Sequence, residues 1–487
     1  MSHDLVIANG TIATASDMFS ADIGIRDGRI SQIGGDMGSA ARTIDATGRY
    51  VLPGGIDSHV HIAQPSGPGI EMADDFDSAT RSAAFGGNTM VMPFCLQERG
   101  DSLAASFRDY RAQAEGHAHI DLGFHLIVTD PTPSVLGQEL PALIEEGHRS
   151  VKLFMTYEAL RMDDAGILAT MDVARRHGAR VMVHCENEDV IAFLARRSEE
   201  AGDTAPRAHA TTRPVAAERE ATHRALTLAE VVDVPIVIVH VSNGAAMEEI
   251  ARARMRGLDI TAETCPQYLM LEGEDLSREN WEGAKFVCSP PPRNRAEQEN
   301  CWRGLQTGLF DLFSSDHCPF RYADDKGKRN PRGLRSFRHI PNGIPGVETR
   351  LPILFSEGVT TGRIDLPRFV ALTATNHARA YGLYPQKGTI AVGSDADIAI
   401  WDPGVRRTIR HTDLHDGSDY TPYEGLEVQG WPETVILRGR PVIEAGRMVA
   451  EGRGNVVARP GGQDATVTGA GGIDAEETAP HIAGGAD

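Results

Sequence analysis

Residues 52–67 read "LPGGIDSHVHIAQPSG", an apolar run that closes on two histidines one residue apart. In an extended strand, residues two apart project from the same face. His59 and His61 therefore point together, while Val60 turns the other way into packing. Alone, such a pair can be no more than two histidines on a solvated strand end. Its meaning depends on what the rest of the chain brings to the same end of the fold.

Outward from this point the sequence alternates apolar strand-like runs with helix-like segments. The runs are "YVLPGGIDSHVH", "NTMVMPF", "DLGFHLIVTD", "SVKLFMTY", "ARVMVHCE", "VPIVIVHVS", "LDITAETC" and "LFDLFSSDH". Amphipathic stretches such as "EDVIAFLARRSEEAG" and "GAAMEEIARARMRG" separate several of them, as a parallel sheet with crossover helices requires. The pattern predicts an α/β protein built on a (β/α)8 TIM-like barrel, with chemistry at the C-terminal ends of its strands; a doubly wound open sheet is the alternative. Short β-prone runs with tight-turn signals ("RDGR", "EAGR") occupy both termini. Too few at either end to bury a core, they predict one small β-sandwich domain shared between residues 1–52 and 386–458. Residues 53–385 form the barrel, and the Gly/Ala-rich stretch 459–487 reads as a flexible C-terminal tail.

The 487-residue chain has 48 Lys and Arg against 68 Asp and Glu, a formal charge of −20, and no basic block. Nucleic acid is thereby excluded as an expected partner. No apolar run is long enough to span a membrane and no secretory leader is evident, so the expectation is a soluble, cytoplasmic protein. The six cysteines form no CxxC pair and read as buried thiols in a reducing compartment.

At the ends of the predicted strands stand His59 and His61, Lys152, His184, His240 and Asp316. All fall on one rim of the barrel. Four imidazoles, a carboxylate and a lysine are too many for one structural tetrahedral zinc, but they suit two hydrolytic divalent metal ions about 3.5–4 Å apart. Two such cations need an anionic bridge, and a free ammonium has the wrong charge. A buried lysine of depressed pKa can take up carbon dioxide and become a carbamate, which gives Lys152 that role. The ions would activate a shared water for attack on a carbonyl, with Asp316 taking the proton and returning it to the leaving nitrogen.

The motifs "GGIDSHVH", "SVKLFMTY", "VHVSNGAAMEEI", "AETCPQYL", "VCSPPPR", "SSDHCPF", "IPNGIPGVETR" and "VQGWPETVILRGRPV" resemble the hydantoinase and dihydropyrimidinase branch of the cyclic amidohydrolases, from about residue 4 to 455. The resemblance implies a binuclear centre, zinc by preference, and ring-opening hydrolysis of a small cyclic amide by a homotetramer. It matches His59, His61 and Asp316 to the ligands of one metal, His184 and His240 to those of the other, and Lys152 to the carboxylated bridge. Tyr157 matches the tyrosine that polarises the substrate carbonyl. Ser289 and Asn342 match positions whose main-chain groups hold the ring amide.

The resemblance thins after the second histidine, where Ile62, Ala63 and Gln64 stand and where dihydroorotases, which are similar, carry an arginine for a substrate carboxylate. "VHVSN" likewise places Asn243 where many relatives have cysteine. The loops around "AQPSGPGI", "CLQERG" and "TYEALRMDD" are expected to line the pocket mouth and select the ring substituent. A cyclic imide hydrolase or allantoinase is the alternative within the class. A noncatalytic dihydropyrimidinase-related scaffold is the alternative outside it, and would require lost metal ligands that this chain retains.

Overall fold

The computed structural model describes residues 2–459; the stretch read as a tail lies outside the described residues apart from Arg459. Parallel strands run in chain order around a barrel: Gly55–Val60, Asn88–Leu96, an interrupted third made of Asp121–Leu122 and His125–Ile127, Ser150–Phe154, Arg180–His184, Ile236–Ile238, Ile260–Thr264 and Leu312–Phe313. Each pairs with its sequence neighbour. A parallel bridge between Val60 and His317 brings the last strand back to the first, and the His61 N–H donates to the His317 carbonyl at 2.7 Å.

Alternation decides what each strand sends inward. In Ser150–Phe154, Val151 and Leu153 join the outer core under the helices, while Phe154 packs in the barrel interior with Ile56, Met92, Met182 and Val237. Lys152 shares the face of Phe154. Helices follow the strands, and their starts are set locally: Asp75, Ser102, Asp163, Asn187, Asn243 and Asn294 each accept a hydrogen bond from a first-turn backbone N–H, as N-cap residues do. Asn243 is thereby accounted for as the cap of Gly244–Met255, accepting from Ala246 at 2.9 Å.

The run "YVLPGGIDSHVH" is two strands, not one. Tyr50–Pro53 pairs antiparallel with Ile398–Thr408 in a seven-stranded sheet, and the chain crosses into the barrel at Gly54 and Gly55. A side chain at Gly54 would sit 2.2 Å from Thr89, and one at Gly55 2.6 Å from Leu351, so only glycine fits the crossing. The seven-stranded sheet and a four-stranded sheet (Arg29–Ile33, Ile23–Arg26, Leu5–Ala8, Thr43–Asp45) enclose a core including Leu5, Ile7, Ile25, Val51, Ile398 and Ile436. Both chain ends thus build one β-layered unit beside the barrel. Beyond it, residues 454–457 return to hydrogen-bond with Ala118 and Leu122. Among the described residues, no helix is long and apolar enough to cross a membrane.

Candidate metal centre

A cavity of about 800 Å³ opens over the C-terminal strand ends, and His59, His61, Lys152, Tyr157, His184, His240, Ser289, Asp316 and Asn342 all line it. Asp316 Oδ1 lies 3.2 Å from His59 Nε2 and 3.5 Å from His61 Nε2, and one ligand atom from each of the three falls within 4.8 Å of the other two. Beside them, His184 Nδ1 and His240 Nε2 face each other at 3.0 Å, and the His59 and His240 rings are 5.3 Å apart. Two groups of converging ligand atoms thus adjoin.

His240 does not reach the cavity by simple alternation. Val239 packs inside the barrel, whereas Val241 joins the outer core. Left-handed backbone at His240, φ +39°, re-aims the chain between them. Tyr157 (φ +68°) and Asp316 (φ +50°) are also left-handed. Non-glycine residues pay for such conformations with strain of order 1–3 kcal/mol, and they gather at functional sites.

The remaining ring nitrogens of His59, His61 and His184 are held from behind. His59 Nδ1 is 2.6 Å from Glu263 Oε1, His61 Nδ1 is 2.6 Å from Gln64 Oε1, and His184 Nε2 is 2.8 Å from Glu186 Oε2. Such partners fix which nitrogen faces a metal and raise its basicity. Glu263 also accepts the His240 N–H at 3.1 Å and the Ser314 hydroxyl at 2.7 Å, so one buried carboxylate ties three strands. Burial alone would raise the Glu186 carboxyl, but Arg213, donating at 2.6 Å, and His184 bring it down to about 2. The same guanidinium lies 5.3 Å over the Tyr157 ring. Glu186, Arg213 and Glu263 were not singled out in the sequence, and Gln64 was noted there without its part in holding His61. Parity was an available signal for Glu186, two residues beyond His184, and an acid in the middle of the strand Ile260–Thr264 was one for Glu263.

Lys152 is 1 % exposed. Its Nζ lies 5.1 Å over Phe94 and 5.3 Å over Phe154, and burial pulls its pKa down to about 8 against the attraction of Glu263 and Asp316. The donor set fits a metal pair: imidazole nitrogens and a carboxylate oxygen converge, and the one cation among them is a lysine held toward its neutral, carbon-dioxide-reactive form.

Tyr157 follows the Lys152 strand, with its N–H donating to Glu188 at 2.9 Å. Burial pushes its hydroxyl above the usual phenol range, which keeps it a proton donor. The Ser289 hydroxyl donates to Asn342 Oδ1 at 3.2 Å. The three loops expected at the mouth contribute Gln64, Pro65, Leu96, Glu98, Ala159 and Leu160, and the stretch 330–339 ahead of Asn342, unforeseen in the sequence, closes another side. The arginines of this lining already have partners. Arg338 pairs with Glu199 at 3.1 Å, Arg332 contacts His339 Nδ1 at 3.2 Å, and Arg99 donates to the Arg161 carbonyl.

A parallel β/α barrel with histidines and an aspartate gathered at its strand ends defines the metal-dependent amidohydrolase class, and the amidohydrolase family profile matches residues 50–442. The D-hydantoinase of Ralstonia pickettii is 49% identical over 449 residues, covering 92% of this chain and 97% of its own. A solved D-hydantoinase structure superposes with a TM-score of 0.91 at 47% identity, over 94% of this chain and 99% of that one. The dihydropyrimidinase of Brevibacillus agri does so with a TM-score of 0.91 at 44% identity, over 93% and 98%. The chain belongs to the hydantoinase and dihydropyrimidinase family of cyclic amidohydrolases, and is an enzyme that hydrolyses cyclic amides.

Proposed function

We propose that the chain opens hydantoin and dihydropyrimidine rings to N-carbamoyl amino acids at a pair of divalent cations, zinc in the native enzyme. His59, His61 and Asp316 would hold one cation, His184 and His240 the other, and Lys152, carboxylated by carbon dioxide, would bridge them. Bound there, the pair supplies a water of lowered pKa and polarises the amide carbonyl. The chain's own groups do the rest. Asp316 accepts the proton of the attacking water and delivers it to the leaving ring nitrogen. The Tyr157 hydroxyl donates to the carbonyl oxygen as negative charge develops there. Main-chain groups at Ser289 and Asn342 hold the ring amide, and Glu263, Gln64 and Glu186 keep the imidazoles oriented. The D-hydantoinase names of the similar proteins support a preference for D-configured 5-substituted rings. A cytoplasmic homotetramer is part of the same proposal, carried by the family resemblance.

The observation that carries this reading is the convergence of ligand atoms on one cavity that also holds Tyr157, Ser289 and Asn342. A substrate panel tests it, with product mass as the readout: hydantoin, a racemic 5-substituted hydantoin, dihydrouracil, dihydroorotate, allantoin and succinimide. Hydantoins or dihydrouracil should rank first, and dihydroorotate should be poor because Ile62, Ala63 and Gln64 put no arginine after the second histidine to pair with its carboxylate. A tenfold or greater lead in kcat/KM for allantoin or succinimide, about 1.4 kcal/mol in transition-state binding, would overturn the substrate assignment.

A further inference from the structure

Lys328 is fully buried, and among the described residues its ammonium has no carboxylate partner. Its Nζ donates instead to two main-chain carbonyls, Val287 O at 2.7 Å and Pro341 O at 2.6 Å. These belong to separate loops. Val287 stands two residues before Ser289, and Pro341 one residue before Asn342. The loops also meet directly: Gly343 N–H donates to the Val287 carbonyl at 3.1 Å, and the Ser289 hydroxyl to Asn342 Oδ1. Lys328 itself comes from the loop after the last barrel strand, where its own N–H donates to Arg321 O at 2.8 Å. One ammonium thus knots three segments around the inner wall of the cavity.

An ammonium taken out of water without a counter-ion is expensive, and an apolar side chain of similar length would avoid the cost. Burial pulls the Lys328 pKa down to about 7, and charged or neutral the amine gives what an apolar chain cannot, N–H donors to two carbonyl oxygens at once. We propose that Lys328 is a positioning residue for ring hydrolysis, fixing the spacing between the loops whose main chains at Ser289 and Asn342 hold the ring amide. The proposal rests on the functional reading above. Lys328 touches neither the ring nor the metal ligands. The contacts it supports act on bound substrate and transition state alike, so its loss should appear in KM more than in kcat.

The test compares the metal-loaded enzyme with Lys328→Met, which cannot donate, and Lys328→Gln, which keeps N–H donors on a shorter side chain. Wild-type turnover of hydantoin or dihydrouracil is established first, since its absence would fail the functional reading and not this proposal. In Lys328→Met, KM should rise on the order of tenfold or more while kcat falls by a smaller factor, with metal content as in wild type. Lys328→Gln should lie between. KM within about twofold of wild type in a folded Lys328→Met, or equal losses in kcat and metal content, would overturn the proposal. So would failure of both variants to fold, which would assign Lys328 to the fold.

Discussion

At the residue scale, the groups that end strands were legible and the groups that hold them were not. His59, His61, Lys152, His184, His240 and Asp316 stand out because a titratable residue closing an apolar run is conspicuous. Glu263 lies inside such a run and acts across the barrel on His59, a partner 204 positions away that no spacing rule connects. Tyr157, Ser289 and Asn342 came from family resemblance, because their parts depend on loop geometry. Two substitutions separate these kinds of residue. Lys152→Ala should fold yet lose bound metal and activity together, read by elemental analysis beside turnover. Glu263→Ala should weaken metal retention by about 10–100-fold in a chelator competition, and Glu263→Gln, which keeps an acceptor for His59, should do less.

At the scale of the element, hydrophobic period and caps carried most of the information. The barrel strands were readable because apolar β-branched runs alternated with helix-like segments. Two features escaped. The break at Gly54 and Gly55 was hidden because the runs on either side are equally apolar, and only the approach of Thr89 and Leu351 reveals it. The inward turn of His240 needs a left-handed residue that β-branched neighbours give no reason to expect. Asn243 is explained locally by capping. Asn243→Ala should destabilise the protein by about 1 kcal/mol, seen as a lower Tm, with metal content and KM unaffected.

For the whole molecule, the repeat of strand and helix pointed to the barrel, and the matching β-prone runs at both ends pointed to a shared sheet. How the two units join was not legible, because it rests on pairs distant in sequence. Buried Lys387 lies between Asp121 of the third barrel strand, at 2.7 Å, and Asp397 beside the terminal sheet, at 2.6 Å. Residues 330–339 of the cavity wall escaped for a related reason: they lack periodicity and are shaped by tertiary contacts such as that of Arg338 with Glu199. Barrel and loops converge on one cavity, and the proposed chemistry requires two divalent cations in it. The direct measurement strips the protein with a chelator, then restores zinc in stepwise equivalents with bicarbonate present while hydantoin hydrolysis is followed. Activity should be absent in the stripped protein and should rise to a plateau at two equivalents per chain. Full turnover by protein shown by elemental analysis to hold no metal would contradict the account.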